Sequence, residues 1–302
     1  MTLNFAVPPE ADGMLLRGFL HRCGVSADLS RAVKQAGGYF ADGVPVHTNV
    51  PVQAGQMLSF ALPPEAGAGT RPQPELPLCI AREDAMAIVL DKPAGMAVHP
   101  TRNYPDGTLA NAYAARMQAR GESGVFRPVN RIDKNTSGLV LAAASMYAAP
   151  LLAQRAEKTY LAFVQGDLPQ DSGVIDAPIA PRGDSIIGRC VSPEGKPSRT
   201  EYTVLRRGGG LTLAACRPVT GRTHQIRVHF AWLGYPLAGD DLYGGSCARI
   251  ARHALHCSRI VFSEPHAEPC AGGLMLSAPP AWDTVSVESP LPADLQALLG
   301  AM

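Results

Sequence analysis

One stretch with a single acidic residue constrains this chain more than any other. Residues 127–142 read Arg-Pro-Val-Asn-Arg-Ile-Asp-Lys-Asn-Thr-Ser-Gly-Leu-Val-Leu-Ala, with Asp133 as the only acid. The Thr-Ser-Gly sequence allows a sharp turn and the close approach of a ligand, and the apolar run after it is typical of a strand. Two interpretations are open at this point. Asp133 is either a reactive carboxylate beside Arg131 or a turn aspartate that binds its own backbone.

The length and composition indicate a globular protein of two domains. The chain has 302 residues, of which 46% are hydrophobic and 18% are charged, with a net charge of +1. Two domains are the usual expectation at this length. The longest weakly charged run, residues 138–154, is shorter than the roughly 20 residues of a membrane span, and the N-terminus has no signal-peptide pattern. We therefore expect a cytoplasmic protein without a membrane partner.

The cysteines and histidines follow no pattern of metal ligands. The seven cysteines include no Cys-x-x-Cys pair, and in a chain without an export signal we expect them to be reduced and mostly buried. His253, His256 and Cys257 come nearest to a ligand cluster, but their spacing matches no zinc motif. We therefore expect no metal.

Residues 1–62 have the pattern of a small separate domain. After an irregular start over residues 1–11, apolar spacing predicts a helix from Met14 and a second one after the N-cap Ser26. Residues 39–46 read as a hairpin with Asp42-Gly43 at its turn, followed by another strand. Four basic residues can share one face, which is either an RNA-binding face or an ordinary solvated surface: Arg17, Arg22, Arg31 and Lys34.

Residues 63–79 are rich in Pro, Gly and Ala and are predicted to be a linker to a second domain, residues 80–302. In that domain the patterns predict strands at 86–90 and 158–164 and helices at 109–118, 149–156 and 291–299. Asp91-Lys-Pro-Ala-Gly95 is predicted to be the turn that ends the first of these strands.

Basic residues are concentrated in residues 181–230. Only Asp184, Glu194 and Glu201 oppose nine basic residues there, which gives a net charge of +6: Arg182, Arg189, Lys196, Arg199, Arg206, Arg207, Arg217, Arg222 and Arg227. The remainder of the chain must be net negative, so charge is segregated along the sequence. This asymmetry favours a polyanionic substrate.

Several motifs of the second domain resemble, in the same order, those of the RluA-type pseudouridine synthase family. Residues 130–138 are similar to the family's His-Arg-Leu-Asp-x-x-Thr-Ser-Gly, with Asn130 in place of the histidine. Other segments resemble Asn-Lys-Pro-x-Gly-x-x-Val-His-Pro (91–100), Lys-x-Tyr-x-Ala-x-Val (158–164) and Thr-Gly-Arg-Thr-His-Gln-Ile-Arg-Val-His (220–229). Residues 1–62 resemble the αL-type RNA-binding domain of some ribosomal proteins.

The resemblance implies an α+β fold whose catalytic domain has a long mixed, mainly antiparallel sheet, flanking helices and a central cleft. It implies an isomerase that converts uridine in ribosomal or transfer RNA into pseudouridine. Nothing is oxidised or hydrolysed in this reaction, so no cofactor is expected, and a monomer is the default.

The resemblance also implies a role for each of four residues. Asp133 would be the essential carboxylate, and Arg227 would pair with it and keep it ionised. Tyr160 would stack on the uracil and take the carbon-5 proton late in the reaction. Arg131 would hold the flipped nucleotide. We predict that Thr223 caps the helix carrying Arg227, with Ile226, Phe230 and Leu233 on the apolar face.

Two other functions compete with this one. A glycosidase would need a second carboxylate across the substrate, for which Asp240 and Asp241 are the candidates. A non-catalytic RNA-binding protein with the same fold would be expected to have lost the reactive residues, yet Asp133, Tyr160 and Arg227 are all present. Catalysis is therefore the preferred interpretation.

Overall fold

The computed structural model describes residues 1–65, 69–102, 104–122 and 124–302. The described residues form seventeen strands: β1 (Thr2–Ala6), β2 (Tyr39–Ala41), β3 (Val44–Val46), β4 (Met57–Ala61), β5 (Cys79–Glu83), β6 (Ala87–Lys92), β7 (Ser137–Ala143), β8 (Ala156–Gln165), β9 (Ser172–Asp176), β10 (Ile179–Pro181), β11 (Arg189–Val191), β12 (Arg199–Gly208), β13 (Leu211–Pro218), β14 (Leu255–Pro265), β15 (Ala267–Cys270), β16 (Gly273–Leu276) and β17 (Trp282–Glu288). They also form six α-helices: α1 (Leu16–Arg22), α2 (Ala27–Gln35), α3 (Leu109–Ala119), α4 (Ala148–Ala153), α5 (Gln225–Trp232) and α6 (Ala293–Gly300). Two short 3-10 helices complete the set, Pro9–Ala11 and Asp241–Tyr243. The predicted α+β class is confirmed.

Nine strands form one large sheet, in the order β5-β6-β7-β14-β8-β13-β12-β9, with β17 paired to β14. Neighbouring strands run antiparallel except β7 and β14, which pair in parallel. The predicted mixed, mainly antiparallel sheet is therefore confirmed. All seven residues of β7 are buried, so this strand lies in the core and fixes the Asp133 turn that precedes it.

Gly138 allows β7 and β14 to approach closely at the end of β7 nearest the turn. Its φ is +104°, a value that residues with a side chain rarely adopt. A Cβ atom at this position would also collide with the backbone carbonyl of Cys257, its partner across the strands. Glycine is therefore required both by the backbone conformation and by the space between the strands.

A second sheet of six strands, in the order β15-β16-β1-β4-β2-β3, contains the N-terminal segment. The prediction of an irregular segment at residues 1–11 was wrong for Thr2–Ala6, which forms β1. This strand pairs antiparallel with β4 and parallel with β16. The partners in β16 are more than 260 positions away, and local sequence patterns do not reveal such a pairing. Residues 1–62 thus share a sheet with a hairpin from the C-terminal part of the chain, and the domain division stays a prediction.

Within residues 1–62, the two helices and the hairpin are confirmed. The Ser26 hydroxyl accepts a hydrogen bond from the backbone N–H of Leu29 at the start of α2, and Asp42 and Gly43 both have positive φ at the hairpin turn. The end of α1 is joined to the start of α4, where the hydroxyl of the fully buried Tyr147 donates to the carbonyl oxygen of Cys23 at 2.8 Å.

The predicted elements of the second domain are present with shifted ends. The helices at 109–118, 149–156 and 291–299 correspond to α3, α4 and α6, and the strand at 158–164 is the longer β8. The strand at 86–90 continues through Lys92, so the predicted turn begins later than expected, at Pro93. Among the described residues, no helix is long and apolar enough to cross a membrane.

Candidate active site

The Asp133 turn is tied to the turn after β6 by the side chain of Lys92. The backbone N–H of Thr136 donates to the carbonyl oxygen of Asp133 at 3.1 Å and closes the turn. Lys92 is 1% exposed, and its ammonium donates to the carbonyl oxygens of Pro93, Met96 and Lys134 at 2.8, 2.7 and 3.0 Å. Burial lowers the pKa of Lys92 to about 7, and the charge of Asp133 partly opposes this. Lys92 is therefore part of the structure that holds the Asp133 turn.

Arg227 lies between two carboxylates. Its Nη1 donates to Oδ2 of Asp133 at 3.0 Å, while its Nε and Nη2 donate to the two oxygens of Asp240, both at 2.7 Å. Burial acts to lower the pKa of Arg227, but the hydrogen bonds and charge of Asp240 and the charge of Asp133 outweigh it and raise this pKa. The Arg227–Asp133 pair expected from the motifs is present, and Asp240 was missed as its second partner.

The helix that carries Arg227 does not begin as predicted. Helix α5 starts at Gln225, and the residue before it is His224, which has a left-handed backbone (φ 58°, ψ 20°) and no capping side chain. The Thr223 cap was therefore wrong. The buried Gln225 side chain holds this turn instead, because its Oε1 accepts from the Thr220 hydroxyl and from the backbone N–H of Arg222.

The helix is also buried more evenly than an apolar stripe predicts. All six residues from Gln225 to Phe230 are buried, whereas Leu233 follows the helix and is 37% exposed. Leu233 therefore does not belong to the buried face. The polar members of the buried turn are each paired: His229, for example, lies 2.9 Å from the Thr200 hydroxyl through Nδ1 and 3.0 Å from the Ala177 carbonyl oxygen through Nε2.

Tyr160 lines the cleft from strand β8 and is 8% exposed. Burial raises the pKa of its hydroxyl well above the ordinary value, and the neighbouring Cys257 and Asp133 act in the same direction. The hydroxyl is therefore protonated. Asn130, the departure from the family motif, uses its amide to join the turn to β7: Oδ1 accepts from the backbone N–H of Leu141 at 2.8 Å, and Nδ2 donates to the Leu139 carbonyl oxygen at 3.2 Å.

Asp133, Arg131, Tyr160 and Arg227 all line one open cleft of about 520 Å³. Only the Oδ2 oxygen of Asp133 has a hydrogen-bond partner among the described residues, and its side chain is 25% exposed. Arg131 is exposed and has no ion pair within the described part of the chain. The charged lining is mostly basic and includes Lys134, Lys158 and Arg222. The structure thus brings together all four predicted site residues, with a free carboxylate oxygen in a basic cleft.

The basic excess of residues 181–230 is less concentrated in space than in sequence. Four of its nine basic residues form ion pairs with acidic residues from outside the segment, which the net charge of +6 does not include: Arg199, Arg207, Arg217 and Arg227. Strand pairing contributes to this, because it sets Asp176 of β9 directly opposite Arg199 of β12. The sequence count therefore overstated the net positive surface.

The histidines that came nearest to a metal cluster contact the hydroxyl groups that follow Asp133. His253 Nε2 lies 2.8 Å from the Thr136 hydroxyl, and His256 Nδ1 lies 3.0 Å from the Ser137 hydroxyl. Burial lowers the pKa of His253 to about 3, and Arg227 acts in the same direction. No group of three possible ligands occurs among the residues that the structure describes.

Comparison with known proteins identifies the family. The family model for RNA pseudouridylate synthase matches residues 86–232. The chain is 32% identical over 292 residues to an uncharacterised RNA pseudouridine synthase of Bacillus subtilis, YjbO, covering 95% of this chain and 98% of the relative. It is 40% identical over 244 residues to ribosomal large subunit pseudouridine synthase D of Nitrosomonas europaea, covering 75% and 66%.

A solved structure agrees with the sequence relatives. Human RNA pseudouridylate synthase domain containing 1 superposes with a TM-score of 0.52 at 25% sequence identity, covering 74% of this chain and 95% of the human one. The cleft that holds Asp133 lies largely within the matched residues 86–232. The chain therefore belongs to the RNA pseudouridine synthase family, of the RluA type that its motifs resemble, and is an isomerase that acts on RNA.

Proposed function

We propose that this enzyme isomerises specific uridines in ribosomal or transfer RNA and that Asp133 is its essential carboxylate. The observation that carries the proposal is the pairing of Asp133 with the buried Arg227 at the base of an open, basic cleft. The guanidinium binds one carboxylate oxygen and leaves the other free to react. Asp133 would act as a nucleophile or assist departure of the base.

The other residues of the cleft fit the steps before and after bond breaking. Arg131 is exposed and without an acidic partner among the described residues, so it is available to fill the space left by a flipped uridine or to bind its phosphates. Tyr160 presents an aromatic ring for stacking on the uracil. Because burial raises the pKa of its hydroxyl, Tyr160 begins the reaction as a hydrogen-bond donor and could accept the carbon-5 proton only after losing its own.

Relatives favour ribosomal RNA as the first substrate to test. A relative that is 40% identical is named for the large ribosomal subunit, and transfer RNA is the second substrate to test. We also propose that the enzyme is a cytoplasmic monomer. It would need no cofactor, because the reaction involves no redox step. The exposed residues Arg17, Arg22, Arg31 and Lys34 of the N-terminal segment would bind RNA phosphates.

Neither acid considered for a glycosidase is placed to act as its second carboxylate. The side chain of Asp240 is 0% exposed, and both of its oxygens accept hydrogen bonds from Arg227. It is therefore not available to activate a water molecule across a sugar, as an inverting glycosidase requires. Asp241 is exposed and is not among the described residues that line the cleft around Asp133.

Tritium release from RNA labelled at uridine carbon 5 tests the proposal. The labelled RNA comes from cells that lack this protein, and wild-type enzyme is compared with Asp133→Asn and with Asp241→Asn as a matched control. Isomerisation expels the carbon-5 hydrogen, so release by wild type and Asp241→Asn, but not by Asp133→Asn, is expected. Equal release by all three proteins would exclude Asp133 as the catalytic group. RNA binding without release by any of them would favour the binding-only alternative.

A further inference from the structure

His224 and Tyr243 form a hydrogen-bonded pair beside Asp133 that the roles proposed above leave unexplained. His224 Nδ1 lies 2.7 Å from the Tyr243 hydroxyl oxygen, and the two rings meet edge to face with centroids 5.7 Å apart. On the other side of the imidazole, Nε2 lies 3.8 Å from Oδ2 of Asp133, which is beyond hydrogen-bond distance. His224 lines the cleft, and its Nε2 has no hydrogen-bond partner among the described residues.

The surroundings of Tyr243 determine which nitrogen of His224 carries the proton. The backbone N–H of Arg189 donates to the Tyr243 hydroxyl oxygen at 3.0 Å. Because that N–H already occupies the phenol oxygen, the arrangement that pairs every donor has the Tyr243 hydroxyl donating to His224 Nδ1. Because Nδ1 accepts, it is unprotonated. A neutral imidazole in this arrangement carries its proton on Nε2, the nitrogen that faces the cleft.

The charges around His224 agree with a neutral ring. Burial lowers the pKa of His224, and Arg227 and Arg189 lower it further, while Asp133 and Asp240 oppose them. The Tyr243 hydroxyl remains protonated because burial raises its pKa. The guanidinium of Arg227 lies over the ring of Tyr243, 5.0 Å from its centroid, and helps to hold the ring in place.

We propose that His224 donates a hydrogen bond to the target nucleotide through Nε2–H, and that Tyr243 is the positioning residue that selects this tautomer. The inference rests on the proposed function, because the acceptor is an oxygen of the uridine held at Asp133. When the bond between ribose carbon 1 and uracil nitrogen 1 breaks, its electron pair stays on the uracil, and the carbonyl oxygens share the charge. A fixed donor beside Asp133 stabilises that charge in the transition state. That charge is neutralised when carbon 5 of the uracil forms its bond to ribose carbon 1. Carbon 5 then loses its proton to solvent and nitrogen 1 gains a proton from solvent, so the product is neutral.

The backbone of His224 allows a sharp choice of variants. Its left-handed conformation (φ 58°) is best tolerated by Gly and Asn, so His224→Asn is the variant that a purely structural role would tolerate best. The Asn amide reaches only the position of Nδ1. The longer side chain of His224→Gln can bring an N–H to the position of Nε2, although Gln suits the backbone less well.

Rate measurements with these variants distinguish a hydrogen-bond donor role of His224 from a purely structural one. In the tritium-release assay, we expect kcat to fall by about 10- to 100-fold in His224→Asn, with little change in KM, because the lost donor acts mainly in the transition state. His224→Gln is expected to retain more activity than His224→Asn. The opposite order, or wild-type activity in His224→Asn, would overturn the donor role.

The tautomer can be measured without any RNA. In full-length protein with ¹⁵N-labelled histidine, long-range proton–nitrogen spectra distinguish a protonated Nε2 from a protonated Nδ1, and the His224 signals are assigned by their loss in His224→Asn. We expect Nε2–H in the wild type and a mixture of tautomers in Tyr243→Phe. Nδ1–H in the wild type would refute the tautomer. If the wild type shows Nε2–H but releases no tritium, the proposed function fails while the tautomer assignment stands.

Discussion

Replacing Asp240 by asparagine removes one of the two carboxylates that hold Arg227. The side chains of Asp240 and Arg227 are 0% and 6% exposed, and two hydrogen bonds of 2.7 Å join them. Removing one partner of a buried ion pair typically costs 3–5 kcal/mol, because the other charge loses its compensation. Asp133 still balances part of the guanidinium charge, so we expect a loss near the lower end, about 3 kcal/mol of the free energy of unfolding.

The same substitution should also lower the rate of the reaction. Once Asp240 no longer holds two of its nitrogens, Arg227 can turn towards Asp133 and bind the carboxylate oxygen that is free in the wild type. We therefore expect kcat of Asp240→Asn to fall by at least about 10-fold, since a small misplacement of a reacting group is costly.

Urea unfolding and tritium release measure these two effects. Asp241→Asn is the matched control, because Asp241 is adjacent and exposed and an asparagine there should change stability by less than about 0.5 kcal/mol. If Asp240→Asn costs no more than Asp241→Asn and keeps wild-type activity, the pairing with Asp240 neither stabilises the fold nor orients Arg227.

Three further predictions follow from the same geometry. Gly138→Ala should destabilise the protein by about 2 kcal/mol or more in urea unfolding, because of its positive φ and its contact with Cys257; Gly183→Ala, with open space and no positive φ, should be near neutral, and equal losses would contradict the reasoning. The pKa of His253 is about 6.5 in the unfolded chain and about 3 in the folded protein. Below pH 6.5 the unfolded chain therefore binds a proton that the folded protein does not bind, and the free energy of unfolding falls as the pH is lowered from 6.5 towards 3. Between pH 7.5 and 5 the wild type should lose about 2 kcal/mol more than His253→Gln, and parallel pH curves would refute this. Arg131→Ala should leave the unfolding free energy within about 0.5 kcal/mol but lower kcat/KM for labelled RNA at least about 10-fold, whereas unchanged kcat/KM would exclude a role in holding the nucleotide.

Local sequence patterns predicted the helices after residue 80 and the strands β6, β7 and β8, but not the remaining strands or the way in which β16 joins the N-terminal strand β1. The run after Gly138 is apolar at every position, so a buried strand was the natural interpretation, and β7 is one. In contrast, β1 is short, and its pairing with β16 brings together residues far apart in sequence. Such a pairing depends on the whole fold and leaves little trace in the periodicity of either segment.

The site was predicted where a residue belongs to a motif, and missed where its role depends on a partner from elsewhere in the chain. Asp133 and Arg227 are 94 positions apart, and the resemblance alone connected them. Asp240 was considered only as a second acid for a glycosidase, because the sequence does not show that its side chain pairs with Arg227. Tyr243 gave no signal of its own, because nothing in the sequence shows that its hydroxyl reaches His224.

Arg227 binds two carboxylates, and this explains how a buried arginine can orient Asp133 while leaving one of its oxygens free. Asp240 accepts two charge-assisted hydrogen bonds at 2.7 Å, whereas Asp133 accepts one at 3.0 Å. The stronger, bidentate pair fixes the plane of the guanidinium, so Nη1 reaches only one oxygen of Asp133. The two carboxylates together carry one more negative charge than Arg227 balances, and the partly exposed Asp133 is where that charge can reach a substrate. A neutral His224, whose Nε2 lies 3.8 Å from the Asp133 oxygen that Arg227 binds, preserves this imbalance, because a charged imidazole would neutralise Asp133.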